Sequence, residues 1–240
     1  MLIHYRNTVY IHFFLRLSIF LTVPLQISNC HSPNNSTTDG LELILLSSYP
    51  LDIDEPSGLT FETETNSLLT VSGDRVFRIS LTGDILDTLD FEGQDMEGIA
   101  ADPNNSTIWI VEEQTGELIH LTASGYELDR FQLDISSGNN SGLEGICIDT
   151  TGTIRLINEK DPKLLIQLNE DLSIHTIMEV DFGKDLSGID CSSSAEIVWI
   201  VSDQSRILYQ WNMVNDLVTA YSLPYKKAEG IAVDVENGVI

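Results

Sequence analysis

The sequence predicts an all-β fold, a five-bladed β-propeller with four-stranded antiparallel blades, and three observations support this. First, a short motif centred on glycine recurs five times, with its glycines at positions 58, 98, 145, 188 and 230. Second, the spacings of 40, 47, 43 and 42 residues match the length of one propeller repeat. Third, the residues between the glycines alternate as in β-strands, without helical periodicity.

Each interval contains four candidate strands. The glycine motif opens the first strand, and a β-branched and aromatic run such as Ile108 to Val111 forms the second. A third run alternates apolar and polar residues, as in Glu117 to Leu121, and a short turn leads to a fourth run, as in Glu127 to Leu133. Short alternating strands separated by Gly, Asn or Asp turns are typical of antiparallel hairpins. Four strands per interval correspond to one propeller blade.

The two ends of the repeat region predict how the ring closes. Leu41 to Leu51 is a lone apolar strand whose place in the repeat matches the fourth strand of the later blades. The fifth interval begins with Lys227 to Val233 and stops at Ile240, in its second strand. We therefore expect a propeller domain over residues 41–240, with a truncated last blade that pairs with the N-terminal strand. Such closure would remove the exposed edges of an open sheet.

Residues 1–30 are predicted to be a signal peptide or lipoprotein leader. Arg6 precedes an apolar run from Val9 to Leu25, which is short for a membrane span. The residues before Cys30 resemble a lipoprotein signal, with Cys30 as the lipidated residue; an uncleaved signal anchor and an ordinary secretory signal remain open. Residues 31–40 read as a flexible polar tether. The expected location is extracytoplasmic and attached to the cell membrane through the N-terminus.

The charge of the chain limits its partners. Twelve Lys and Arg residues stand against 37 Asp and Glu, which gives a formal charge of −25. Removal of the leader would take away Arg6 and Arg16 and leave 10 basic against 37 acidic residues, or −27. Such a field opposes binding to nucleic acids, so we expect no nucleic-acid partner. It would suit cation binding, although solubility alone explains it equally well.

Apart from Cys30, the cysteines and histidines predict no covalent or metal chemistry of their own. Cys147 lies two residues after its repeat glycine and Cys191 lies three after. On equivalent strands they would point to opposite faces, so we expect no disulfide between them. Neither has a Cys or His neighbour at metal-ligand spacing, and no Ser-His-Asp arrangement can be recognised.

Carboxylates recur at two positions of the repeat. The residue before the glycine is Glu97, Glu144 or Glu229 in three intervals and Ser57 or Ser187 in two. The second acidic position, after the second strand, is occupied by Glu113, Glu159 and Asp203. First strands line the channel of a propeller, so side chains in one phase point at one axis. An oxygen-only ligand set favours calcium over zinc or copper, but the same acids could instead cap backbone N–H groups in turns.

Five ordered motifs resemble the SdiA-regulated family (YjiK-like proteins), from about Glu55 to Ile240. The residues that carry the resemblance are Asp95 to Ala101, Leu143 to Ile148, Asn158 to Pro162, Leu186 to Ile189 and Lys227 to Asp234. The resemblance implies a five-bladed propeller distantly related to NHL-repeat proteins, a membrane-targeting N-terminus and a calcium site. Carried onto this chain, the implied calcium ligands are Glu97, Glu144, Glu229, Glu113, Glu159 and Asp203.

The expected function is that of an exported, membrane-associated calcium-binding propeller that acts as a binding or scaffold module. The alternative is a calcium-dependent hydrolase of the lactonase or esterase kind, since propellers also serve as enzyme scaffolds. A third possibility is a purely structural assembly without an ion. No catalytic activity is established for the resembled family, so the resemblance implies no reaction and no catalytic residue.

Overall fold

Four antiparallel sheets of four strands each follow one another along the chain and form the blades of a β-propeller. The computed structural model describes residues 9–11, 15–17, 43–133, 142–191, 194–234 and 240. Four short strands come first: β1 (Val9–Ile11), β2 (Leu15–Leu17), β3 (Leu43–Leu45) and β4 (Tyr49–Leu51).

Blade 1 consists of β5 (Ser57–Glu62), β6 (Ser67–Ser72), β7 (Arg75–Ile79) and β8 (Ile85–Glu92). Blade 2 consists of β9 (Met96–Ala101), β10 (Ile108–Glu112), β11 (Glu117–Leu121) and β12 (Glu127–Gln132). Blade 3 consists of β13 (Leu143–Ile148), β14 (Ile154–Asn158), β15 (Leu164–Leu168) and β16 (Ile174–Glu179). Blade 4 consists of β17 (Gly188–Asp190), β18 (Ile197–Ser202), β19 (Ile207–Asn212) and β20 (Leu217–Ser222).

Burial falls from the second strand of each blade to the fourth, and this explains the sequence pattern. All five residues of β10 are buried, whereas β12 is exposed or half-buried throughout. The second strand is covered on both faces by neighbouring blades, which is why it reads as a continuous apolar run. The hydrophobic cores accordingly lie between successive blades. One of them joins Val76 of blade 1 to Ile99 and Ile119 of blade 2.

The repeat glycines lie where first strands approach each other most closely. A Cβ atom on Gly98 would lie 2.7 Å from the Cα atom of Gly145, and one on Gly230 would lie 2.7 Å from the carbonyl carbon of Gly58. No side chain fits at these distances, so glycine is required there. The N–H group of Gly58 also donates a hydrogen bond to the carbonyl oxygen of Glu229, at 3.3 Å. The segment around Gly230 therefore lies beside the first strand of blade 1.

The prediction of five blades is corrected by the structure, whose described residues form four. Residues 227–234 contact blade 1, but they belong to none of the four-stranded sheets. In the described part of the chain, residues 227–234 form no strand and join no sheet. Blades of four antiparallel strands are confirmed.

Closure of the ring by the N-terminal strand is not confirmed. The predicted strand from Leu41 to Leu51 is divided into β3 and β4. In the described residues β3 pairs with β2 and β4 pairs with β1, whereas neither pairs with blade 4. Leu43 nevertheless packs against the apolar cluster that contains Ile231 and Val233. The N-terminal segment is thus held near the last segment by side-chain packing, without a strand ladder.

Most of the predicted leader and the whole predicted tether lie outside the described residues, and so does Cys30. Lipidation and export therefore stay predictions. No helix in the part of the chain that the structure describes has the length and apolar character needed to cross a membrane.

The prediction that Cys147 and Cys191 remain unpaired is wrong, because they form a disulfide with Cα atoms 5.6 Å apart. Cys147 lies in β13 and Cys191 directly follows β17, and both are buried in the core between blades 3 and 4. Adjacent blades pack face to face, so the two surfaces in contact are opposite faces of equivalent sheets. The opposite orientation that argued against a disulfide is therefore the orientation that brings the two sulfur atoms together.

Candidate metal site at the propeller axis

The three glutamates that precede the repeat glycines lie close enough to influence one another's charge. Glu97 lies in β9, Glu144 in β13 and Glu229 beside Gly230, and all three are half-buried. Burial is the main cause that raises the pKa of Glu144 to about 9. Repulsion from nearby carboxylates, beginning with Glu97, contributes to the same shift. Burial, followed by repulsion from Asp203 and Glu97, raises the pKa of Glu229 to about 7. The axis therefore gathers carboxylates that favour a proton or a cation.

One group of carboxylates has the spacing of metal ligands. Oxygens of Asp95, Glu97 and Glu113 all lie within 4.8 Å of one another, and the three residues are half-buried. Burial is also the main cause of the raised pKa of Glu97; the Ser57 hydroxyl lowers this pKa, and repulsion from Asp95 and Glu113 raises it. The group combines one residue from each predicted acidic position with an aspartate that the repeat pattern did not single out.

The backbone around β9 and β10 holds this group together. Asp95 adopts the left-handed conformation, with φ of 52°. The N–H group of Glu113 donates to the carbonyl oxygen of Asp95 at 3.0 Å, and this bond joins the end of β10 to the start of β9. One carboxylate oxygen of Glu113 accepts a hydrogen bond from the N–H group of Gly142, at 3.2 Å. Glu113 thus caps the entry to blade 3 and still has a second oxygen for the group.

The other predicted ligands lie outside the group of three. The Glu159 carboxylate pairs with the ammonium group of Lys160. The Asp203 carboxylate accepts a hydrogen bond from the N–H group of Lys227. Of the six predicted ligands, the structure therefore brings Glu97 and Glu113 together at ligand distance, while Glu144, Glu159, Asp203 and Glu229 surround them.

The serines at the same repeat position join neighbouring segments of the ring. The Ser57 hydroxyl donates to the carbonyl oxygen of Glu97 at 2.9 Å. The Ser187 hydroxyl donates to the carbonyl oxygen of Ala228 at 2.8 Å. Each serine thus binds the backbone of the next segment, which explains why a short hydroxyl side chain can replace glutamate there.

Sequence reasoning missed Asp95, although the signal was present. Asp95 stands three residues before its repeat glycine, and Asp185 stands at the same place before Gly188. A position shared by two repeats is a weak pattern. Only the folded chain shows that Asp95 lies beside Glu97 and Glu113.

A family profile described as SdiA-regulated matches residues 48–240. The chain belongs to the SdiA-regulated family. This match covers every blade and also Asp95, Glu97 and Glu113, which together are called the axial group below. A comparison with curated protein sequences gives no match.

Two solved structures are similar in fold to this SdiA-regulated chain. One is the crystal structure of a nidogen/laminin complex, with a TM-score of 0.55, 12% identity, and coverage of 78% of this chain and 72% of that chain. The other contains the RRP9 WD40 repeats, with a TM-score of 0.50, 11% identity, and coverage of 70% of this chain and 51% of that chain. At such low identity the similarity concerns the fold alone.

The axial group fits calcium by its chemistry. The donors are carboxylate oxygens only, as hard cations prefer, and calcium accepts irregular coordination that backbone carbonyls and water complete. Within the described residues, Asp95, Glu97 and Glu113 form no ion pair with Lys or Arg. A divalent cation there would offset their mutual repulsion.

Proposed function

We propose that this SdiA-regulated propeller is an exported, membrane-associated binding or scaffold module that holds a calcium ion at Asp95, Glu97 and Glu113. One observation carries the proposal: three carboxylates from the ends of β9 and β10 lie within 4.8 Å of one another. Like charges at that spacing repel, so a fold that keeps them together favours a bound cation.

The surrounding carboxylates support the same conclusion. Glu144 and Glu229 do not belong to the group of three, but burial and repulsion between carboxylates raise the pKa values of both, so negative charge at the axis is unfavourable without a cation. Such an acidic field attracts cations to the axis over a distance of about one Debye length, roughly 8–10 Å at physiological salt. The resemblance to the family, which implied calcium, and the donor chemistry of the site agree.

The calcium proposal is tested by thermal unfolding with added calcium and with chelator. At a free calcium concentration of about 100 times Kd, one bound ion adds about 2.7 kcal/mol to the stability of the folded state. Glu97→Gln, Glu113→Gln and Asp95→Asn should each remove most of that gain. Glu170→Gln, in an exposed turn of blade 3, is the matched control and should keep it.

The double variant Glu97→Gln/Glu113→Gln decides between ligands and independent caps. Ligands of one ion are not additive, so the second substitution should remove little calcium-dependent stability beyond the first. Independent caps would each cost about 0.5–2 kcal/mol and would add, with and without calcium. Additive losses of stability that are the same with and without calcium would show that these residues have a structural role instead.

One observation favours calcium-dependent hydrolysis of a lactone or ester as a second candidate. Glu144 lies beside the axial group, forms no hydrogen bond through its carboxyl group with the described residues, and has its pKa raised to about 9. A carboxyl group of raised pKa can hold or release a proton near neutral pH, while a bound cation would supply polarisation of a carbonyl group. A screen of lactones and esters with and without chelator separates this function from simple binding; turnover lost in Glu144→Gln would support it.

Export and membrane attachment rest on the leader and on the disulfide. Disulfides persist in oxidising compartments, so the Cys147–Cys191 bond suits a protein that folds outside the cytoplasm. Membrane fractionation of wild type and Cys30→Ser tests the lipid anchor. We expect the variant to be unprocessed or released; equally firm membrane binding with unchanged processing would contradict lipidation and favour a signal anchor.

A further inference from the structure

The turn that follows β14 in blade 3 brings a positively charged side chain close to the acidic axis. Lys160 follows β14 directly after Glu159, and its ammonium group pairs with the Glu159 carboxylate. The side chain of Asn158, which is 1% exposed, donates to the carbonyl oxygen of Lys160 at 3.0 Å. This buried amide fixes the turn that presents Lys160 to the axis.

The charge of Lys160 reaches beyond its ion pair. Lys160 also interacts favourably with Glu144 and Asp185, so it faces acids from two further segments. The N–H group of Leu186 donates to the carbonyl oxygen of Glu159 at 3.0 Å, and this bond places the Asp185 segment beside the turn. The N–H group of Glu159 donates to the carbonyl oxygen of Gly142 at 3.3 Å, and the N–H group of Gly142 donates to the Glu113 carboxylate at 3.2 Å. Two successive hydrogen bonds therefore join the turn that carries Lys160 to the axial group of three.

We propose that Lys160 is an internal counter-cation that weakens calcium binding at Asp95, Glu97 and Glu113 and keeps Glu159 from serving as a ligand. This inference rests on the proposed function. Its physical basis is that the ammonium group repels a divalent cation at the neighbouring site, while its pair with Glu159 occupies a carboxylate that the sequence predicts to be a ligand.

Replacement by glutamine removes the charge and keeps much of the side-chain length. Since removal of a positive charge from the turn beside the site reduces repulsion of a divalent cation, Lys160→Gln should lower Kd for calcium about tenfold. Lys160→Arg keeps the charge and should bind calcium as wild type does. Lys226→Gln, an exposed lysine of the last segment, makes the same change in net charge and should alter Kd by less than about twofold.

The experiment is calorimetric titration of the four proteins with calcium chloride, after chelator treatment and at two salt concentrations. The inference is supported if Lys160→Gln alone binds more tightly and its advantage shrinks at high salt, because a screened charge effect behaves in that way. Equal Kd values for Lys160→Gln and wild type would overturn the inference and leave the calcium site intact. Absence of calcium binding in all four proteins would overturn the proposed function itself. Unfolding midpoints in chelator show whether the variants remain folded.

Discussion

Asp95 in blade 2 and Asp185 in blade 4 stand at the same position of the repeat, yet their surroundings differ. Asp185 is buried, and its carboxylate accepts hydrogen bonds from the Ser202 hydroxyl at 2.5 Å and from the N–H group of Gln204 at 3.2 Å. Asp95 is half-buried and lies with Glu97 and Glu113. One aspartate caps a turn, while the other contributes to a cluster of like charge.

The cause lies at the end of the second strand. Blade 4 has Ser202 there, whose hydroxyl donates to Asp185. Blade 2 has Glu112 at the equivalent position, and this buried carboxylate accepts the N–H group of Gln94 at 2.8 Å. An ionised glutamate cannot donate a hydrogen bond to Asp95. Among the described residues, the aspartate of blade 2 therefore has no hydroxyl donor at this position, and its carboxylate lies beside those of Glu97 and Glu113.

The largest effect on stability is expected from the disulfide, which joins blade 3 to blade 4, the blade that contains Ser202, the partner of Asp185. The double variant Cys147→Ala/Cys191→Ala should lose about 2–5 kcal/mol of unfolding free energy, because the unfolded chain gains freedom that the bond removes. Urea unfolding under oxidising conditions measures the loss. The reduced wild-type protein should show a similar loss, and an unchanged midpoint in both would contradict a stabilising disulfide.

With calcium removed by chelator, replacement of each aspartate by asparagine should change the unfolding free energy in opposite directions. Asp185→Asn should cost about 1–3 kcal/mol, because a buried hydrogen-bond network loses its charged acceptor. Asp95→Asn should be neutral or slightly stabilising, because it relieves repulsion from Glu97 and Glu113. Urea unfolding of both variants in chelator checks this contrast. Equal losses at both positions would show that Asp95 is a structural cap as well.

Calcium-free stability should fall as the pH rises. The folded-state pKa values of Glu144, about 9, and Glu229, about 7, lie above the ordinary value of 4.5. Their folded forms bind protons more tightly than the unfolded chain, so their contribution is complete below pH 4.5 and is lost as the pH rises through about 7 and 9. Unfolding free energies of wild type and Glu144→Gln in chelator, over this range, should show a flatter curve for the variant. Parallel curves would argue against the raised pKa of Glu144.

The smallest effects are expected at the two serines of the ring. Ser187 donates to Ala228 and accepts the N–H group of Asp203 at 3.1 Å, whereas Ser57 donates to Glu97. Ser187→Ala should therefore cost more than Ser57→Ala, with each bond contributing about 0.5–1.5 kcal/mol. Thermal unfolding of the two alanine variants gives the order, and a reversed order would contradict this account of the ring.

Much of the fold could be predicted because the strand pattern repeats. A Cβ atom on Gly98 would lie 2.7 Å from the Cα atom of Gly145, and this need for glycine recurs at the same position of every repeat. The apolar run of β10 likewise reflects burial on both faces. The number of blades was predicted less well, because residues 227–234 carry the motif of a first strand without joining a sheet.

By itself the sequence determined the period, the strands of each blade and the inner position of Glu97, Glu144 and Glu229, since local spacing sets all three. The tertiary structure decided which carboxylates meet. It brought Asp95 to Glu97 and Glu113, gave Glu159 a lysine partner, and turned Cys147 towards Cys191. Repeat positions describe one blade at a time, whereas ligand groups and disulfides form between segments whose separation depends on how the blades pack.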